Sequence, residues 1–430
     1  MNQENSHKLT RRLGLTAATI SGVGVIVGAG IYVIIGVAAG RAGNAVWLSF
    51  ILAAAGATFT GLSYARLGRL QSKNAPEFQY MKLAFGVFPG FLTGWLIVWA
   101  VIISGAAVAL GFGSYLEYLS GVPAVYGAVG LTVFMILVSI FGIRESVVVA
   151  GILTAVAVAG LLLVIGAGIP CLGDVNLLEM PEGISGVMGA ASLIFFAYVG
   201  FEGMANFAEE MKNPRRDLPR AIILSLIIST LLYVLVAISA VSVLGWVRLS
   251  QSEAPLAQVV SVVMGTNANL FVTIFALAST SSTVLLLMIA SSRSIWALSK
   301  ARVFPHVLSI VGRKRNTPWA AIIVIGLITI AFIFFQDIKL VAELTNFVIL
   351  VCFTAVNISA IKLLGYENKT PSGSRLSHIL LDIVSPGLGA ITCIWLSLYL
   401  GWLAALFGLG LLILGGIVYI VQIRFFQPME

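Results

Sequence analysis

The stretch Gly22-Val23-Gly24-Val25-Ile26-Val27-Gly28-Ala29-Gly30-Ile31 puts four glycines into the middle of the first long apolar run. Inside a helix each costs about 1 kcal/mol relative to alanine. In lipid, backbone released from helical hydrogen bonds must find another partner. Two readings follow. Small residues at this spacing let two helices approach closely. Alternatively, the helix breaks at mid-depth, lines a cavity and offers free N–H and C=O groups to a solute. The stretch alone leaves both open, packing being the commoner case.

Composition places the run in a bilayer. Of 430 residues, 59% are hydrophobic and 10% charged, and the mean hydropathy is +1.05. A water-soluble chain could not hide so much apolar surface. At about 20 residues per span, apolar runs predict twelve transmembrane helices: 15–39, 43–67, 90–118, 123–142, 147–170, 187–211, 218–245, 267–298, 317–336, 339–364, 379–399 and 402–424. Met81 to Phe88 and Pro255 to Met264 read as short helices at the membrane surfaces. Met1 to Arg12 is polar, so the first span itself is expected to act as the insertion signal. One transmembrane domain, 1–430, is expected.

With both termini in the cytoplasm, all 25 Lys and Arg fall on the cytoplasmic side except Arg41, Arg248 and Lys339. The rule that cytoplasmic loops are the basic ones fixes this orientation, in a cell membrane. It also explains the charge of +8 without nucleic acid. Cys171, Cys352 and Cys393 are scattered and read as small hydrophobes. His7, His306 and His378 lie in loops or at span ends and match no metal or nucleophile spacing. No P-loop occurs. Neither a catalytic residue nor a cofactor is expected, and metal ligands are absent apart from an optional coupling ion, Na⁺ or H⁺.

The sixth run repeats the anomaly, with Phe195-Phe196-Ala197-Tyr198-Val199-Gly200-Phe201-Glu202-Gly203 placing an acid between two glycines. An ionisable group at this depth is a functional candidate. Its structural alternative is an acid bonded to freed backbone N–H groups. Interrupted runs at positions one and six correspond if the chain is two five-span halves, about 15–170 and 187–364, with two extra helices at about 379–424. Five is odd, so the second half is inverted. Paired interruptions in an inverted repeat point to a transporter's central site. A half-helix starting near Gly30 presents N–H groups and a positive dipole end, suited to a carboxylate. The segment ending near Val199 presents carbonyls, suited to an ammonium. An α-amino acid carries both groups on one carbon.

At these residues the chain resembles the amino acid–polyamine–organocation superfamily of secondary transporters. The resemblance rests on Gly24 to Tyr32, Phe196 to Glu202, the loop Glu209 to Arg220 and Ala297 to Arg302. It implies an all-α integral membrane fold: the five-plus-five inverted repeat with discontinuous helices 1 and 6. Carried over by position, Gly28, Ala29, Gly30 and Ile31 hold the substrate carboxylate by backbone N–H. The carbonyls of Ile26, Phe196, Ala197 and Val199 face its amino group. Phe196 and Phe201 resemble an aromatic gate, and Glu202 a gating or proton-handling acid. In sodium-coupled relatives, hydroxyls at the height of Ser281 and Ser282 join carbonyls of Gly24 and Val27 around an ion. Back-bonding of those hydroxyls within their own helix is the alternative. Several proton-coupled members carry a lysine in span 5 where this chain has Ala157, which argues against coupling through that residue.

The expected function is alternating-access transport of a neutral, hydrophobic amino acid, as symport or exchange. A cationic amino acid or polyamine carrier and a non-transporting sensor are the alternatives. Partners are the solute and the bilayer; oligomeric state is not readable. Glu343, Thr345 and Asn346 either line the outer entrance or are solvated at the interface.

Overall fold

The computed structural model describes residues 14–68, 75–141, 147–204, 211–300, 304–312, 317–367 and 379–425. Among these residues there is helix and no strand. Ten helical stretches are long and apolar enough to cross a membrane. The first of them, Gly30–Leu67, is two helices run together through the 3-10 turn Gly43–Ala45. Leu15–Ile26, Pro255–Met264 and Trp319–Ile333 are shorter apolar helices.

In chain order the helices are α1 (Leu15–Ile26), α2 (Gly30–Ala42), α3 (Val46–Leu67), α4 (Pro76–Phe85), α5 (Val87–Ser120), α6 (Ala124–Phe141), α7 (Val147–Gly168), α8 (Gly183–Ile194), α9 (Pro214–Ser250), α10 (Pro255–Met264), α11 (Thr266–Lys300), α12 (Trp319–Ile333), α13 (Ile338–Glu367), α14 (Ser385–Ser397) and α15 (Trp402–Phe425). Every predicted apolar run contains helix. The first is split between α1 and α2. The sixth begins at Gly183, and its helix stops at Ile194. The surface helix predicted at 81–88 is α4, earlier because Pro76 occupies its first turn, where a missing N–H costs nothing. Glu145, Ser146, Glu209, Glu210, Ala301, Arg302, His7 and His378, used in the sequence argument, lie outside the described residues.

α9 runs along α1, α2, α3 and α7, and α8 packs on α2 and α3. α5 packs on α4, α6, α11, α12 and α13. Buried polar groups pin specific pairs, as a membrane interior demands of any group that leaves water. Asn357 of α13 donates from Nδ2 to Thr60 Oγ1 (3.0 Å) and accepts at Oδ1 from Ser63 Oγ (2.6 Å), both on α3. Arg66 at the end of α3 pairs with Asp382 in the π-helical turn before α14. α14 also meets α3 through Thr60 and Cys393 (3.6 Å) and accepts from Ser192 Oγ of α8 at Leu396 O (2.8 Å). α15 is tied instead to α5, where Trp95 Nε1 donates to Leu411 O (3.0 Å).

Candidate functional site

Both interruptions foreseen in the sequence are real breaks, and they touch. α1 ends at Ile26. Val27 leaves the helical region (φ −78°, ψ 69°), and α2 starts at Gly30. α8 ends at Ile194, continues as 3-10 helix through Tyr198, and opens at Val199 (ψ 135°). Gly200 follows with φ +122°, a conformation L side chains rarely adopt. A Cβ at Gly30 would lie 2.5 Å from Ala197 Cα, and one at Gly200 would lie 3.1 Å from Val25 O. The glycines therefore serve both alternatives at once: they break the helices and let the breaks meet. The site is closed. Ala29, Ile31 and Phe201 have no exposed surface, and Ala197 is 2% exposed.

The backbone groups divide into used and unused. Gly28 N–H donates to Ile26 O (2.8 Å) and Ala29 N–H to Thr283 Oγ1 (3.3 Å). The N–H groups of Gly30 and Ile31, the first of α2, make no hydrogen bond among the described residues. They sit at the positive end of the helix dipole. Of the carbonyls expected to face an ammonium, Phe196 O accepts weakly from Val199 N–H (3.3 Å). Ile26 O and Ala197 O share one donor that sequence reasoning missed, the Tyr233 hydroxyl of α9, at 2.8 and 3.2 Å. Its signal was there: a tyrosine amid Leu231, Leu232 and Val234 must find a partner for its hydroxyl in an apolar span. Tyr198 packs edge-on against Tyr233 (5.5 Å) and donates to Phe50 O (3.0 Å).

Other predicted residues take different places. Phe196, 4% exposed, stays at the break. Phe201 turns away into a ring cluster with Phe353 (5.3 Å) and Tyr64 (6.1 Å). Half-buried Glu202 accepts the Gly200 N–H at Oε2 (2.8 Å), so the acid satisfies a donor freed by the break. The Ser279–Thr283 run reaches the first break through Thr283, not through Ser281 or Ser282, which are half-buried without a hydrogen bond there. Thr280 bonds back to Ala276 O (2.7 Å) and Thr283 to Ser279 O (2.9 Å). Gly24 faces Thr154 of α7, and the Ala157 carbonyl one turn on accepts from Tyr32 Oη (2.7 Å). Val27 N–H closes the last turn of α1 on Val23 O (2.6 Å).

Two flanking features complete the surroundings. Glu343 pairs with Arg41 at the end of α2 and accepts from Gly401 N–H (3.3 Å), so it is buried rather than solvated. In α4, ten residues and so too short to span a bilayer, buried Glu77 accepts from Tyr64 Oη (3.1 Å). Burial holds the Glu77 carboxyl above the usual carboxylate range, against the pull of its own backbone N–H and of Tyr64.

Comparisons with known proteins place the chain among membrane carriers by sequence. The family described as amino acid permease matches residues 13–426. The branched-chain amino acid permease BcaP of Bacillus subtilis is 29% identical over 97% of this chain and 94% of its own. The methylthioribose transporter of the same organism is 27% identical, covering 91% and 89%. Vacuolar cationic amino acid transporter 4 of Arabidopsis thaliana is 28% identical, covering 84% of this chain and 65% of its own. With two broken helices meeting inside an apolar bundle and the family match spanning nearly its whole length, this chain belongs to the amino acid permease family.

Proposed function

We propose that the protein carries a neutral, branched or otherwise hydrophobic α-amino acid across a cell membrane by alternating access. The observation that carries this reading is the contact of the two breaks, with unused N–H groups at Gly30 and Ile31 on one side and carbonyls of Ile26, Ala197 and Val199 on the other. The first set suits a carboxylate and the second an ammonium. The solute's side chain then meets Phe196 and apolar walls. The branched-chain specificity in the name of the Bacillus relative supports the choice of solute. Twelve spans, an inverted five-plus-five repeat and cytoplasmic termini accompany the proposal. α1–α2 and the segment from α8 through Gly203 serve as the discontinuous spans 1 and 6, with α14 and α15 lying outside the repeat.

Coupling to Na⁺ would use carbonyls of the first break and Thr283 in place of Ser281 and Ser282. Coupling to H⁺ would use Glu202. A cationic solute is the second reading, supported by the Arabidopsis relative's name and by Glu202 beside the second break. The test is uptake into liposomes of a panel of amino acids and polyamines, with and without Na⁺ and pH gradients. Saturable uptake of leucine, isoleucine or valine is expected. Uptake of lysine or a polyamine alone selects the second reading. Ligand-induced thermal stabilisation with no flux selects a sensor.

A further inference from the structure

Asn346 of α13 is fully buried. Its Nδ2 donates to Ser192 O (2.7 Å) and Leu193 O (2.9 Å). These carbonyls belong to the last turn of α8, where α-helix passes into the 3-10 segment that leads to the second break. The last four carbonyls of a helix lack partners within it, and one side chain from an unbroken helix donates to two of them, Leu193 O also accepting the Phe195 N–H. The amide's Oδ1 has no partner among the described residues. Asn346 therefore works as a donor only. One turn earlier on the same face, Glu343 holds Arg41 of α2, and Arg41 Nη1 reaches Gly189 O of α8 (3.4 Å). A single turn of α13 thus grips the second half of the first broken span and the first half of the other.

We propose that Asn346 is a positioning residue for transport: it clamps the end of α8 against α13 in the closed state and must release it for the site to open at the α2–α8 end. The proposal rests on the alternating-access reading. It predicts that removing the two donors favours the open form without touching the groups that hold the solute. Closure then becomes the harder step, so kcat falls while KM is not raised.

The test uses the full-length protein in detergent, with Cys171→Ser and a reporter cysteine at Gly189, where a Cβ makes an ordinary 3.5 Å contact with Arg41 Nη1. Maleimide labelling of the reporter measures separation of α8 from its partners. Asn346→Leu is expected to raise the labelling rate about tenfold, the loss of two hydrogen bonds, and Asn346→Gln, which keeps the donors, to raise it far less. In liposomes without the reporter, Asn346→Leu should lower kcat for L-leucine about tenfold at an unraised KM. Asn346→Ala is read the same way if the leucine variant does not fold. Unchanged labelling in a folded donor-less variant overturns the clamp, as does a rise in KM with kcat intact. Absence of uptake and of stabilisation by any amino acid in the wild type overturns the transport reading instead, while the labelling comparison still decides the clamp.

Discussion

Gly30 is the residue at which sequence and packing are most tightly joined. Even a methyl group there meets the Ala197 backbone, 2.5 Å from its Cα, and no flexible side-chain end can yield. Gly30→Val is expected to abolish uptake while the protein still inserts and elutes as a single species in size-exclusion chromatography; full activity refutes the site. Tyr233→Phe keeps the ring against Tyr198 and Phe50 but strands the Ala197 carbonyl and leaves Ile26 O with the Gly28 N–H alone. An unpaired buried acceptor costs about 1–3 kcal/mol, so initial uptake should drop roughly tenfold at little cost in membrane insertion. Glu202→Gln keeps an oxygen for the Gly200 N–H and removes only the ionisation. If the acid handles a proton, wild-type uptake varies with pH and the glutamine variant's does not. Parallel pH profiles would leave Glu202 as a backbone cap alone.

At the scale of elements, the breaks were legible because glycine in lipid is conspicuous, and the runs were legible because a span needs length and apolarity. What each span faces was not. Helices that are apolar all round carry no stripe to mark an inner face. In the hydroxyl run of α11 the resemblance singles out Ser281 and Ser282, whereas the hydroxyl bonded to the Ala29 N–H is that of Thr283. The same blindness hid Tyr233 and left Asn346 between entrance and interface. The elements also differ in how pH reaches them. Glu77 enters α4 with its carboxyl raised by burial above its unfolded value. Its stabilising contribution is complete below the unfolded pKa and is lost as pH rises through the folded one. Glu77→Gln should therefore raise the thermal midpoint at neutral pH and flatten its decline between acid and neutral conditions, as read by a thiol-free melting assay.

Taken whole, the molecule has an ion pair between a half-buried arginine and a buried acid towards each end, Arg41–Glu343 joining α2 to α13 and Arg66–Asp382 joining α3 to the start of α14. Removing one partner of such a pair strands the other charge, at about 3–5 kcal/mol. Arg66→Gln is accordingly expected to lower the melting temperature markedly. Topology is testable with the native thiols: Cys171 is half-exposed, whereas Cys352 and Cys393 are buried. In intact cells an impermeant maleimide added outside should modify Cys171 alone; labelling only after permeabilisation would invert the proposed orientation. The last two helices are pinned by different hydrogen bonds and ion pairs. α14 is fastened to α3 and α8, and α15 to α5. Both also pack on α13, so a single helix braces the two ends of the short joint Leu398 to Gly401 and leaves it little freedom to twist.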